Sequence, residues 1–137
     1  MALMSISEVA RQAGVRTSAI RYYEQIGVLA PAQRIGGQRR YDATALYRLA
    51  VIQRARRTGF RLDEIRQLFF GFGKRTSASS RWKKMCLEKR KELQQQVDQI
   101  QAMQRMLGRM EMNCHCAELE DCGRAMVLST RGTGVSC

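Results

Sequence analysis

Apolar positions along the chain fall into two regimes: short helical groupings before residue 70, and one long narrow stripe after residue 90. Ser5–Ala13 reads as a short helix, in which Ser5 followed three residues later by Glu8 fits a capping box. Gly14 ends it with an expected positive φ. Thr17 and Ser18 open a second helix through Glu24, so that two short helices joined by a glycine turn form a helix-turn-helix pattern. Gly36-Gly37 lies between two short β-capable stretches ending in Gln38-Arg39-Arg40-Tyr41, a hairpin the size of a wing. Asp42 is a good N-cap for a third helix to about Arg57, with Leu46, Leu49, Val51 and Ile52 apolar. Leu62–Phe69 is a fourth, with Asp63 and Glu64 in its first turn.

Residues 71–80 (GFGKRTSASS) read as a Gly- and Ser-rich linker. A long helix is expected from about Arg81 to Met112, with Leu93, Val97, Ile100, Met103, Leu107 and Met110 in a near-heptad seam. A polar helix carrying one narrow stripe cannot bury it alone. Pairing with a second copy in a coiled coil satisfies it; docking back on the N-terminal part is the alternative. After Asn113 the pattern stops. Cys114 to Gly123 reads as a compact Cys-rich loop, and 129–137 as a disordered tail. The expected fold is mainly α: a winged helix-turn-helix domain (1–75), a linker and dimerisation helix (76–112), and a C-terminal Cys-rich loop with a tail (113–137).

Charge sharpens this picture. The chain has 24 Lys and Arg against 12 Asp and Glu, a formal charge of +12. Residues 1–75 hold 14 of the basic and 5 of the acidic residues, and Lys74 is the sole lysine among them. An arginine-rich half favours a polyanion, because each neutralised phosphate releases a counterion and the guanidinium fork suits phosphate and guanine. No run of about 18 apolar residues is present, and the start lacks the basic-then-apolar order of a secretory signal, so a cytoplasmic protein is expected. In that compartment five cysteines are read as thiols, metal ligands or redox groups rather than structural disulfides. No βαβ unit surrounds a C-x-x-C, and no Ser/His/Asp or paired-carboxylate arrangement occurs, so an enzyme is not expected.

Three cysteines and the one histidine lie between Cys114 and Cys122. Thiolates favour soft ions such as Cu(I), Zn(II), Cd(II) or Hg(II), or an iron–sulfur cluster. Cys114, Cys116 and Cys122 are the first candidates; His115, Cys86 and Ser79 are secondary.

The stretch from Ile6 to Leu68, carrying in order IRYYE, a Gly-containing wing ending in RRY, ARRTGF and LDEI, closely resembles the MerR family of regulators. The long helix and Cys loop match it in order and length. The resemblance implies a homodimer with antiparallel long helices, bound to a near-palindromic operator in double-stranded promoter DNA. It further implies effector-dependent activation, in which distorted DNA lets RNA polymerase engage both promoter elements. Thr17, Ser18, Arg21, Tyr22 and Tyr23 are the expected contacts from the recognition helix, the Tyr23 ring having the core as its alternative. Arg39, Arg40 and Tyr41 are expected to meet phosphates from the wing, with a hinge role as the alternative for Tyr41.

The seven residues between Cys114 and Cys122 resemble the two-thiolate pair of the family's copper sensors. Ser79, thirty-five residues before Cys114, falls where sensors of divalent ions carry a partner-supplied Cys and monovalent sensors carry Ser. The competing redox reading rests on C-x-C-x5-C, on Gln38-Arg39-Arg40-Tyr41 and on Trp82, which resemble the branch holding a [2Fe–2S] cluster. That branch has a fourth Cys just before Cys114, where this chain has Met110 and Glu111. Cys137 is a possible distal ligand.

Overall fold

The computed structural model describes residues 2–130. Eight elements follow one another: α1 (Ile6–Ala13), α2 (Thr17–Gln25), β1 (Gln33–Ile35), β2 (Gln38–Arg40), α3 (Ala43–Arg57), α4 (Leu62–Phe70), α5 (Ala78–Asn113) and α6 (Leu119–Thr130). They divide into two compact units, the first running to Lys89 and the second starting at Arg90.

In the first unit local chemistry sets the boundaries. At α1 the Ser5 Oγ accepts from the Glu8 N–H at 3.2 Å while Glu8 Oε2 accepts from the Ser5 N–H at 2.8 Å. Together they satisfy two of the N–H groups left open at a helix start. Gly14 closes α1 at φ +69, a left-handed geometry that a side chain would strain. Asp42 caps α3 through the N–H groups of Thr44 and Ala45. β1 and β2 pair antiparallel, Arg34 opposite Arg39, around Gly36 and Gly37, both at positive φ as a tight primed turn demands.

Val9, Ile20, Val28, Leu29, Leu49, Ile52 and Ile65 are fully buried and join α1 to α4 in one core. The hairpin is tied to this body by reciprocal backbone bonds between Met4 and Tyr41, 2.7 and 2.9 Å. At the unit's far end Lys89 is buried, its Nζ 2.8 Å from Glu64 Oε1 and over the Phe60 ring. Burial alone would raise the Glu64 carboxyl. The N–H of Arg61 and the ammonium of Lys89 outweigh that and hold it below its ordinary value.

Two expectations are corrected. The 71–80 stretch is not a linker throughout: α5 begins at Ala78, three residues before Arg81. Ser77 caps it, its Oγ accepting from the Ser80 N–H at 3.1 Å, so the serines read as linker composition serve a helix start. Arg81 fastens the preceding turn, donating to the carbonyls of Leu68, Phe69, Gly73 and Thr76. The second correction is α6, which takes up residues assigned to the Cys loop and the beginning of the tail. Glu120 and Asp121 in its first turn complement the positive end of the helix dipole. The remainder of the tail, Cys137 included, lies outside the described residues.

In the second unit Ala125 is the one buried residue among those described. The seam residues Leu93, Val97, Ile100, Met103, Leu107 and Met110 are all exposed, between 41% and 61%.

Candidate nucleic-acid interface and metal centre

The second helix of the helix-turn-helix presents Ser18, Arg21 and Tyr22 outward, with Thr17 half-buried. Tyr22 is 49% exposed, whereas Tyr23, one position on and so on another face, is 5% exposed. The Tyr23 ring belongs to the core, and its hydroxyl accepts from Arg56 Nη1 at 3.2 Å. Arg56 thereby links α3 to α2.

Beside α2, Arg21, Arg34, Arg39 and Arg40 line a cleft of about 270 Å³ that also reaches Ser5 and Ile6 at the start of α1. Four guanidinium groups round one concavity concentrate positive potential where a phosphate backbone could enter. Arg34 and Arg40 are held by the wing itself, Arg34 donating to the Gly37 carbonyl and Arg40 to the Gln38 side chain. Arg34 was not singled out from the sequence; its place directly opposite Arg39 in an antiparallel pair was the available signal.

Tyr41, expected to meet phosphate or to act as a hinge, faces inward. It is 3% exposed, and its hydroxyl donates to Glu24 Oε1 at 2.5 Å. Burial, the Glu24 hydrogen bond and the Glu24 charge push the phenol far above its ordinary value, so it remains a donor. Glu24 also pairs through Oε2 with Arg39 Nε at 3.3 Å. A phenol whose hydrogen is donated to Glu24 has none left for another acceptor.

The thiol cluster lies on the turn between α5 and α6 and on the first turns of α6. Cys114 follows Asn113, its N–H bonded to the Met110 carbonyl, and Cys122 lies on α6. Their Sγ atoms are 3.4 Å apart, and with Cys116 the three sulfurs lie within 4.8 Å of one another. The contact with Cys114 is the main cause that pushes the Cys122 thiol above its ordinary value; desolvation and the charge of Asp121 act the same way. Cys86, Cys114 and Cys122 are reduced thiols, whereas Cys116 is disulfide-bonded. His115 is exposed and outside the group. Ser79 is exposed in the first turn of α5, and Cys86 packs against the core of the first unit.

A recognition helix beside an arginine-lined wing, followed by a long helix and a thiol cluster, defines a winged helix-turn-helix regulator. Comparison with known proteins agrees. Residues 4–70 match the profile of the MerR HTH family regulatory proteins, and residues 46–110 the profile described as MerR, DNA binding. The chain is 37% identical over 120 residues to the heavy metal-dependent transcription regulator 2 of Rhizobium meliloti, covering 87% of this chain and 82% of that one. It is 34% identical over 120 residues to the HTH-type transcriptional regulator CueR of Salmonella typhi, covering 87% of each. Among solved structures, the transcription regulator PbrR691 of Ralstonia metallidurans in complex with lead(II) superposes with a TM-score of 0.69 at 28% identity, covering 84% of this chain and 90% of that one. The chain belongs to the MerR family of transcription regulators. No helix among the described residues is long and apolar enough to cross a membrane.

Proposed function

We propose that this chain is a cytoplasmic, metal-responsive transcription regulator in which Cys114 and Cys122 hold one soft ion and the winged unit grips promoter duplex. The observation that carries the metal reading is the approach of the Cys114 and Cys122 sulfurs to 3.4 Å on a turn anchored by a helix at each end. Two adjacent thiolates are the donor set that Cu(I), Hg(II), Cd(II) and Zn(II) prefer, and Cys116 becomes a third donor once reduced. When bound, the ion supplies a cross-link between the two thiolates and cancels their mutual repulsion. The chain's own residues would then carry the signal: Cys114 directly follows α5 and Cys122 lies on α6, so two thiolates holding one ion would fix the end of one helix against the start of the other. The names of the relatives, a heavy metal-dependent regulator and a lead(II)-bound one, support a soft ion.

On the DNA side, Ser18, Arg21 and Tyr22 enter the groove, with Thr17 at the helix start, and Arg39 and Arg40 meet phosphates. Tyr23 and Tyr41 serve by packing. The exposed α5 seam pairs with a second copy, so that two winged units read two half-sites and RNA polymerase is recruited at the distorted promoter. The labour divides as residues 1–75 for DNA, 76–112 for assembly and 113–137 for the effector. A [2Fe–2S] cluster takes four ligands, and the group here offers three among the described residues.

The test is metal content of the reduced, anaerobically purified chain after loading with Cu(I), and separately with Zn(II), Cd(II) and Hg(II). We expect one ion per chain. Affinity should fall at least about 100-fold in Cys114→Ser and Cys122→Ser, more than loss of an outer-shell partner costs. Binding to a duplex selected by the unaltered chain should stay near normal. Ions retained in both variants, or iron with sulfide and visible absorption, would overturn the reading.

A further inference from the structure

We infer that Glu24 is a positioning residue for DNA contact: it locks the wing to the recognition helix and aims the Arg39 guanidinium outward at the duplex backbone. Glu24 is the sole acid between Glu8 and Asp42, a stretch that holds six arginines. It lies in the last turn of α2, where the helix dipole opposes a negative charge. It also stands beside the arginine-lined cleft, where it would repel a polyanion. A carboxylate kept in such a place must contribute something that offsets both costs.

Its two oxygens make different contacts, and both go to the wing end. Oε1 accepts from the Tyr41 hydroxyl and Oε2 pairs with Arg39 Nε. The wing needs this hold. Its strands are three residues each, and a two-stranded hairpin so short is not stable by itself. The backbone pair of Met4 with Tyr41 ties down the end of the hairpin but sets nothing about the side chain of Arg39.

Arg39 is the beneficiary. Its side chain is 32% exposed, and its Nε stands 3.3 Å from Glu24 Oε2 as an ion pair. A guanidinium paired on one edge with a carboxylate is biased to turn its outer pair of donors the other way. Such a fork loses less rotamer freedom on meeting a phosphate than one on an unsupported stem. The negative charge behind it is thus part of the recognition surface, although it touches no DNA.

Positioning and bulk electrostatics predict opposite signs, which makes the test decisive. Removing a negative charge next to DNA should tighten binding if Glu24 only repels. The probe is a fluorescein-labelled duplex carrying a site selected from a random-sequence library by the unaltered chain, titrated across a range of salt. We expect Glu24→Ala to weaken binding about tenfold, as loss of one charged hydrogen bond would. We expect the slope of log affinity against log salt to fall by about one ion, as when one phosphate contact is given up. Arg39→Ala should do the same, and the double variant should be no weaker than Arg39→Ala by more than about twofold, since coupled residues are not additive. Glu24→Gln, which still accepts from Tyr41, should fall between. If Glu24→Ala does not fold, Glu24→Gln carries the test, weaker binding with a reduced slope supporting the proposal. Equal or tighter binding by Glu24→Gln, an unchanged slope, or additive losses in the double variant would overturn it. The inference rests on DNA binding and not on the metal reading, so a failed metal titration leaves it standing.

Discussion

The two units of this chain solve the burial problem in opposite ways. Up to Lys89, seven large apolar side chains are withdrawn almost completely from water, and even a lysine is buried beside its own carboxylate and aromatic partners. From Arg90 on, α5 carries eight large apolar residues and buries none of them; Leu93, Ile100 and Leu107 stand 41%, 51% and 61% exposed. The difference teaches that the first unit completes its core within a single chain, while the seam of the second is left uncovered among the described residues. In the proposed regulator this separation would be useful: the half that reads DNA would keep its shape, and the half proposed to assemble and hold the ion would respond.

The largest test of the comparison is Leu49→Ala, at the centre of the first core. A fully buried leucine cut to alanine should cost about 2–5 kcal/mol, through lost transfer energy and the cavity left behind. A denaturant melt would read it, with the oligomeric state of the remaining folded chain unchanged. Should the loss be under about 1 kcal/mol, the first unit would not be the tight body described, because even Ile→Val typically costs that much in a core.

Ile100→Glu asks the converse question. A charge in the proposed seam should weaken self-association at least about 100-fold, equivalent to about 2.7 kcal/mol, while the melt of the first unit stays put. Sedimentation across a concentration series checks this. A dimer that survives unchanged would mean the stripe is covered by something other than a second copy.

A smaller effect is expected of Glu64→Gln, which sharpens the account of why the first unit runs as far as Lys89. The carboxyl of Glu64 is held below its ordinary value, so its contribution is complete above the ordinary glutamate range and is lost as pH falls through the lowered value. The glutamine variant should therefore be less stable by about 2 kcal/mol near neutral pH, the usual worth of a hydrogen bond to a charged group. It should converge with the parent in acid. A difference that persists undiminished at low pH would assign the effect to packing instead of charge.

Much of this was legible in the residues before any coordinates. Ser5 with Glu8, Gly14, Gly36-Gly37 and Asp42 mark their elements through contacts spanning three or four residues, and such contacts leave a local signature. The stripe from Leu93 to Met110 announces itself because a helix repeats every 3.6 residues. The thiol pair was visible as a spacing. Two elements escape such a reading, each for its own reason. Ser77 to Ser80 looked like linker because capping and linker compositions overlap, and α6 was hidden because a short helix beside a Cys-rich turn has too few residues to show a period.

The sequence by itself determined the succession of the first five helices, the wing, the basic half and the soft-donor cluster, since each is a property of neighbouring residues. Tertiary structure alone decided that Tyr41 turns inward to Glu24, seventeen positions away, and that Lys89 reaches Glu64, twenty-five away. It also brought four arginines from α2, β1 and β2 to one cleft. Pairings across such separations impose no repeat on the chain. They exist only once the core has brought distant backbone together and left a buried charge to find its partner.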